Sequence, residues 1–372
     1  FGDYHQLLAI FFIPFMVIPI TCIWFIPFYK GIEARGFISL YQYLEFRFSR
    51  PIRLTASLIF MIYSAGWMGT MLLAVSRILD VVLDTNSMVQ TLAVIAVVGL
   101  LATIYTAMGG VKAVIWTDTI QAFALFGGMI FLLVLLLWKI DGGVSTFLAT
   151  GSADGKFDMF RLDGGLGQHN LCSACAYGFF VYMGGQLASY GAFQRYVTVD
   201  SVGEARRALV VKGVFTLLSC TLFFLVGTAL YVFYHQSQPD LEIYNGLAEG
   251  RGRDRLLPHF VINYAGGYGM TGLILAGLFA AAMSSLDSGI NSMTATLVTD
   301  WYNGRELGTT TNRLLTGLFG LGVTGIACLL AQIDQGVFNI LLSIAGATLG
   351  LLLAVLMLGM LVPRVNTTGV VA

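Results

Sequence analysis

Between Phe279 and Tyr302 the chain reads FAAAMSSLDSGINSMTATLVTDWY. At about 100° per residue, Ser284, Ser285, Asp287, Ser288, Asn291, Ser292 and Thr294 fall on one half of a helix. Met283, Leu286, Gly289, Ile290, Met293 and Leu297 fall on the other. The stretch ends a long apolar run, so this polar face lies at membrane depth, where polar groups must face a bundle interior, pair, or bind something. Hydroxyl oxygens suit a small hard cation such as Na+, which they ligate without adding fixed charge. Serines also bond back to carbonyls four residues earlier and let helices pack closely. That accounts for some of the hydroxyls but not for an aspartate among them.

A second chemistry-bearing stretch is Tyr182-Met183-Gly184-Gly185-Gln186-Leu187-Ala188-Ser189-Tyr190-Gly191. Paired glycines inside an apolar span weaken a helix, and unwound backbone at membrane depth is tolerated only where it lines a cavity. Such interruptions mark substrate sites in transporters, and they also serve as close-packing faces. Tyr182, Gln186, Ser189 and Tyr190 are the candidate solute-binding groups here. Tyr63, Ser64, Trp67 and Thr70, on another apolar stretch, are candidate lining groups. A third stretch, Gly109 to Gln121 (GGVKAVIWTDTIQ), reads as a tight turn followed by a helix capped by Thr117 or Asp118. Asp118 and Asp287 are the acidic residues inside the apolar spans or at their lips, and an intramembrane carboxylate is a functional candidate.

The elements that must hold these residues are membrane helices. The 372 residues are 57% hydrophobic and 11% charged, with formal net charge zero, and mean hydropathy is +0.81. Soluble domains carry about 25% charged residues, so the composition is that of a polytopic all-α membrane protein partnered by the lipid bilayer. Charge neutrality gives no basis for nucleic-acid binding. Cys172 and Cys175 form C-x-x-C at the start of an apolar helix and read as small packing residues. Nine stretches approach the ~20 residues a bilayer core requires. They lie at roughly 7–28, 53–79, 88–108, 118–138, 170–193, 209–233, 271–298, 312–332 and 338–362. A short helix around Pro258 is expected in the long connection 234–270. Lys and Arg concentrate in one set of alternate connections, which places that set in the cytoplasm, the N-terminus outside and the C-terminus inside. The chain opens at Phe1, not Met, already near an apolar span, and so reads as a fragment.

GGVKAVIWTDTIQ, FQRYVTVDS at 193–201, and AAAMSSLDSGINSM at 280–293 followed by Asp300-Trp301-Tyr302 together resemble the sodium:solute symporter family. The resemblance implies a leucine-transporter-like five-plus-five inverted repeat with core helices two to ten present and core helix one before Phe1. Residues 1–372 would then be one transporter domain, with 1–138 the remainder of the first repeat and 170–363 the second. It further implies a main Na+ site at the Ala281 carbonyl and the Ser284 and Ser285 hydroxyls. A second cation site would join Asp118 to Ser285 and Ser288, with Asp287 standing where relatives often carry Ser or Thr. The implied activity is Na+-coupled symport of a small organic solute, such as a sugar acid or monocarboxylate, by alternating access across the plasma membrane. A neutral sugar or an inorganic anion is the alternative cargo. The other classes are a cation channel, which lacks a repeated filter sequence, and a membrane enzyme, which lacks converging catalytic groups. Between helices 170–193 and 271–298 a groove is expected.

Overall fold

The computed structural model describes residues 16–85, 87–158, 160, 170–236, 238–247, 250–265, 270–305 and 307–371. The side chains of 109–118, Asp118 included, and of Ala281 lie outside that description, as does the start of the first expected span.

A π turn at Thr21–Phe25 leads into α1 (Ile26–Glu33), α2 (Leu40–Arg47), α3 (Arg50–Val82), α4 (Met88–Lys139) and α5 (Gly143–Ala153). α6 (Leu171–Met183) passes through a π stretch at Gly184–Ala188 into α7 (Tyr190–Val197) and α8 (Val202–Tyr234). α9 (Gln238–Leu247), α10 (Leu256–Tyr264), α11 (Met270–Thr296), α12 (Thr309–Leu330), α13 (Val337–Leu361) and α14 (Thr367–Val371) complete the chain. Among the described residues nine spans are long and apolar enough to cross a membrane, as expected, and the helix around Pro258 is present as α10. Two readings need correction. The connections 29–52 and 139–169 are partly helical, as α1, α2 and α5 show, and α8 starts at Val202, seven residues before the expected span. Ser201 explains the latter: its hydroxyl accepts the Glu204 N–H and caps the helix.

α4 is helical over 52 residues, which as a straight rod would measure about 78 Å. Its contacts exclude such a rod. At its start, Thr91 donates to Asp80 at the end of α3 (3.1 Å). Just past its end, the Asp141 carbonyl accepts from Gln236, which follows α8 (3.4 Å). The segment after α8 returns to the same end of α3, since α10 and the turn Gly250–Arg255 pack on α3. Both ends of α4 therefore meet one end of the bundle. Its two spans, Met88–Met108 and Thr119–Lys139, therefore run antiparallel.

α11 runs through the middle, packed on α3 and on both halves of α4, while α12 and α13 also cover α3. Close approach is built in at Gly277, where an added Cβ would come within 2.9 Å of the Ala124 carbonyl oxygen. Leu72, Leu286, Ile290, Met293 and Val323 fill the centre of this layer. A second apolar cluster, around Tyr29, Tyr41, Phe60, Leu187 and Phe193, surrounds the interrupted helix α6–α7.

That interruption is real. After the π stretch, Ser189 is extended (φ −80°, ψ 129°) before α7 begins. The Leu187 and Ala188 carbonyls then accept hydroxyls from outside the helix, Tyr29 at 2.5 Å and Tyr41 at 2.9 Å. Both tyrosines are buried.

At one end of the bundle a buried ion pair closes the structure. Arg53 Nε donates to Asp300 Oδ1 (2.8 Å), and another of its nitrogens donates to the Thr299 carbonyl (2.8 Å). Its remaining nitrogen reaches Glu45 (2.5 Å). Ser39, which caps α2, donates to the other Asp300 oxygen (3.1 Å). The Asp-Trp-Tyr of the sequence motif thus joins α11 to α2 and α3, with Trp301 donating to Ser57 (3.1 Å).

Two stability outcomes follow from these contacts. Breaking a buried pair costs about 3–5 kcal/mol; Glu45 still accompanies Arg53, so Asp300→Ala should fall near the lower end. Tyr41→Phe strands one carbonyl and should cost about 1–3 kcal/mol. Thermal unfolding of the purified chain in detergent should rank wild type above Tyr41→Phe above Asp300→Ala. Wild-type melting of Asp300→Ala would show that the pair contributes nothing.

Candidate functional site

Four helical stripes enclose a cavity of about 450 Å³, within the range of small-molecule sites. α3 contributes Phe60, Tyr63, Ser64 and Trp67, a spacing of i, i+3, i+4 and i+7 on one helix face. α11 contributes Ser285, Ser288, Gly289 and Ser292, and α8 contributes Ala205, Ala208, Leu209 and Lys212, both at that same spacing. The interrupted helix supplies the fourth wall with Gly185, Gln186 and Ser189, continued by Gly191, Ala192, Arg195 and Tyr196 of α7. Gly289 makes room for the wall opposite: a Cβ there would collide with the Met68 sulfur.

The polar half of α11 divides in two. Ser285, Ser288 and Ser292 open onto the cavity. Asp287 and Thr294 turn away from it. Asp287 is fully buried, and one of its oxygens accepts a short hydrogen bond from Thr106 of α4. Thr294 is buried within 3.3 Å of the Thr316 hydroxyl on α12. The division follows from helical angles: Asp287 and Ser285 are two residues apart, so about 160° separates their directions. Ser284 lies between them in angle and is half-buried. A carboxylate in a dry layer is costly unless a cation, a proton or donors accompany it.

Any cation held on the cavity side would depend on hydroxyl and carbonyl oxygens. Among the described residues no three His, Cys, Asp or Glu side chains form a metal-binding group. The Ser292 hydroxyl already bonds back to the Ser288 carbonyl at 2.8 Å, the packing use of serine anticipated above.

Of the residues singled out from sequence, Tyr63, Trp67, Gln186, Ser189, Ser285 and Ser288 meet around the cavity. Tyr182 and Tyr190 are not in its lining. The extended Ser189 turns Tyr190 towards the far end of α11, where it is buried, stacks on Tyr41 and lies 3.3 Å from the Thr299 hydroxyl. Arg77, near the end of α3, is buried beside Asp254, whose carboxylate accepts the Val337 N–H (3.0 Å). Sequence reasoning missed Thr106, whose pairing crosses 181 positions. It also missed Arg195 and Lys212 as lining groups. The i, i+3, i+4, i+7 pattern ending at Lys212 was readable, but its first two positions, Ala205 and Ala208, lie before the expected start of that span at 209.

Comparison with known proteins now bears on this geometry. The model of the sodium:solute symporter family matches residues 4–372. The sodium/sialic acid symporter SiaT of Proteus mirabilis (strain HI4320) is 30% identical over 359 residues, covering 94% of this chain and 70% of that protein. The sodium/sialic acid symporter NanT of Aliivibrio fischeri (strain ATCC 700601 / ES114) is 30% identical over 375 residues, covering 97% and 71%. The human sodium-coupled monocarboxylate transporter 1 is 27% identical over 383 residues, covering 99% of this chain and 59% of its own length. A solved structure of a Na+-coupled sialic acid symporter, substrate-bound and outward-open, superposes with a TM-score of 0.81 at 27% identity. That superposition covers 99% of this chain and 74% of the other. Nine apolar spans, the interrupted α6–α7 and the serine stripe facing it thus belong to a leucine-transporter-like fold, and the chain belongs to the sodium:solute symporter family, whose work is Na+-coupled symport of a small organic solute across a membrane.

Proposed function

We propose that the cavity between α3, α6–α7, α8 and α11 is where solute and Na+ meet. The observation that carries this reading is the serine stripe of α11 opening onto the same cavity as the unwound Gly184–Ala188 segment. In this reading the Ala281 carbonyl and the Ser284 and Ser285 hydroxyls ligate the main Na+. Ser288 and Asp287, with Asp118, form a second cation site on the α4 side. Tyr63, Trp67, Gln186 and Ser189 contact the solute, while Tyr190 supports the site from behind by holding α7 against α11. The solute is a small organic acid, a class that takes in the sialic acid and monocarboxylate named for relatives. Residues 1–138 belong to the first repeat and 170–363 to the second. The end bearing Arg53 and Asp300 faces the cytoplasm of a plasma membrane.

Losing one oxygen ligand from a cation site costs about 1–3 kcal/mol, roughly ten- to a hundredfold in affinity. Ser284→Ala and Ser285→Ala should each raise the Na+ concentration for half-maximal uptake by that factor in proteoliposomes containing the full-length protein, with expression intact. Unchanged Na+ dependence in both would return these serines to packing.

The buried side is tested separately. Asp287→Asn should change the charge moved per solute, measured as current against tracer uptake. Thr106→Val, which removes one donor to Asp287 and leaves the carboxylate in place, should weaken Na+ affinity without changing the charge ratio. A wild-type ratio in Asp287→Asn would remove this carboxylate from ion coupling.

A further inference from the structure

Two cationic side chains share the cavity wall, and neither is explained by the cation sites. Arg195 follows the interruption on α7, and Lys212 lies ten residues past Val202 on α8, about 15 Å into that helix. Both side chains are exposed, and their charges are close enough to act on each other. Among the described residues the cavity lining contains no carboxylate, and the three ion pairs present involve neither residue. The apolar part of α8 begins near Leu209, after Glu204, Arg206 and Arg207, and a cation one turn inside it ordinarily runs out to the interface or serves a ligand. Here the stripe Ala205, Ala208, Leu209, Lys212 directs it to the cavity.

A third group has the same polarity. Gln186 Oε1 accepts the Tyr196 hydroxyl at 2.6 Å, so the amide N–H groups are what Gln186 has left to offer a solute. This part of the cavity thus offers donors and positive charge, opposite the oxygen-rich stripe of α11. An Arg beside a Lys fits a carboxylate, which the guanidinium binds through two parallel hydrogen bonds while the ammonium adds a point charge.

We propose that Arg195 and Lys212, with the Gln186 amide, form a carboxylate subsite that makes this symporter selective for anionic over neutral solutes. The proposal rests on the reading that the cavity is the transport site, and it adds which residues choose the cargo's charge. A lipid phosphate would satisfy the same donors, so the experiment separates the two sources.

The test uses the full-length protein in phosphatidylcholine vesicles. Na+-stimulated uptake is measured for sialic acid, its neutral methyl ester, pyruvate and galactose. Wild type should prefer the acids. Arg195→Gln and Lys212→Gln should each reduce the preference for sialic acid over its ester by about tenfold, the scale of one charge-assisted contact. Arg195→Lys with Lys212→Arg should retain most of it, which a folding defect would not allow. A double glutamine variant that keeps full preference for the acids overturns the subsite and leaves the pair to lipid headgroups. Na+-stimulated uptake of galactose alone by wild type also overturns it, while leaving the cavity as the transport site. If Na+ stimulates none of the four, the transport reading fails and the subsite with it.

Discussion

A membrane helix that unwinds midway leaves carbonyls that lipid cannot satisfy, and the structure depends on how Leu187 and Ala188 escape that cost. Their partners are the Tyr29 and Tyr41 hydroxyls, which reach in from α1 and α2. The two rings are fully enclosed by Phe193, Tyr196, Phe60 and Tyr190. A tyrosine is well suited to this role because its ring fills apolar space while its hydroxyl crosses to a backbone acceptor. With the carbonyls satisfied from behind, Gly185, Gln186 and Ser189 are free to face a cavity. The interruption is therefore a built feature, held by side chains more than 140 positions away in sequence.

The division of α11 has a different physical origin. One helix cannot point every polar group in one direction, and a polar arc of about 180° must touch two environments. The cavity takes the serines, whose neutral hydroxyls tolerate either water or an ion. The layer against α4 and α12 takes Asp287, Thr294 and their partners Thr106 and Thr316. The charged group lies where water is excluded and fields are strongest. The neutral groups lie where a solute must also fit. On the function proposed above, this separation lets ion binding and solute binding act on one helix without sharing every ligand.

Rigidity is distributed unevenly around this helix. Towards α3 it ends in the Arg53–Asp300 pair, backed by Ser39, Glu45 and the Thr299 carbonyl. Towards α7 it meets Gly191 beside Ser292 and a 3.3 Å contact between the Tyr190 and Thr299 hydroxyls. A desolvated ion pair in a network resists displacement far more than one long neutral hydrogen bond does. The tie between α11 and α3 is thus the stronger of the two.

Much of this was legible in the residues themselves. Hydropathy alone located the nine spans, because an apolar run of about 20 residues has few other stable places. The paired glycines marked the broken helix, since glycine weakens helices whatever surrounds it. The serines of α11 were visible as one face because helical spacing is a local property. Local spacing could not say which edge of that face met the cavity, nor that Asp287 would face Thr106. Nor could it say that Tyr190 would turn away to Thr299 after the extended Ser189. The stripe ending at Lys212 came into view only once the Ser201 cap carried α8 back to Val202, since Ala205 and Ala208 lie before the expected start of that span. Each of these depends on which helix lies opposite, and long-range packing alone supplies that neighbour.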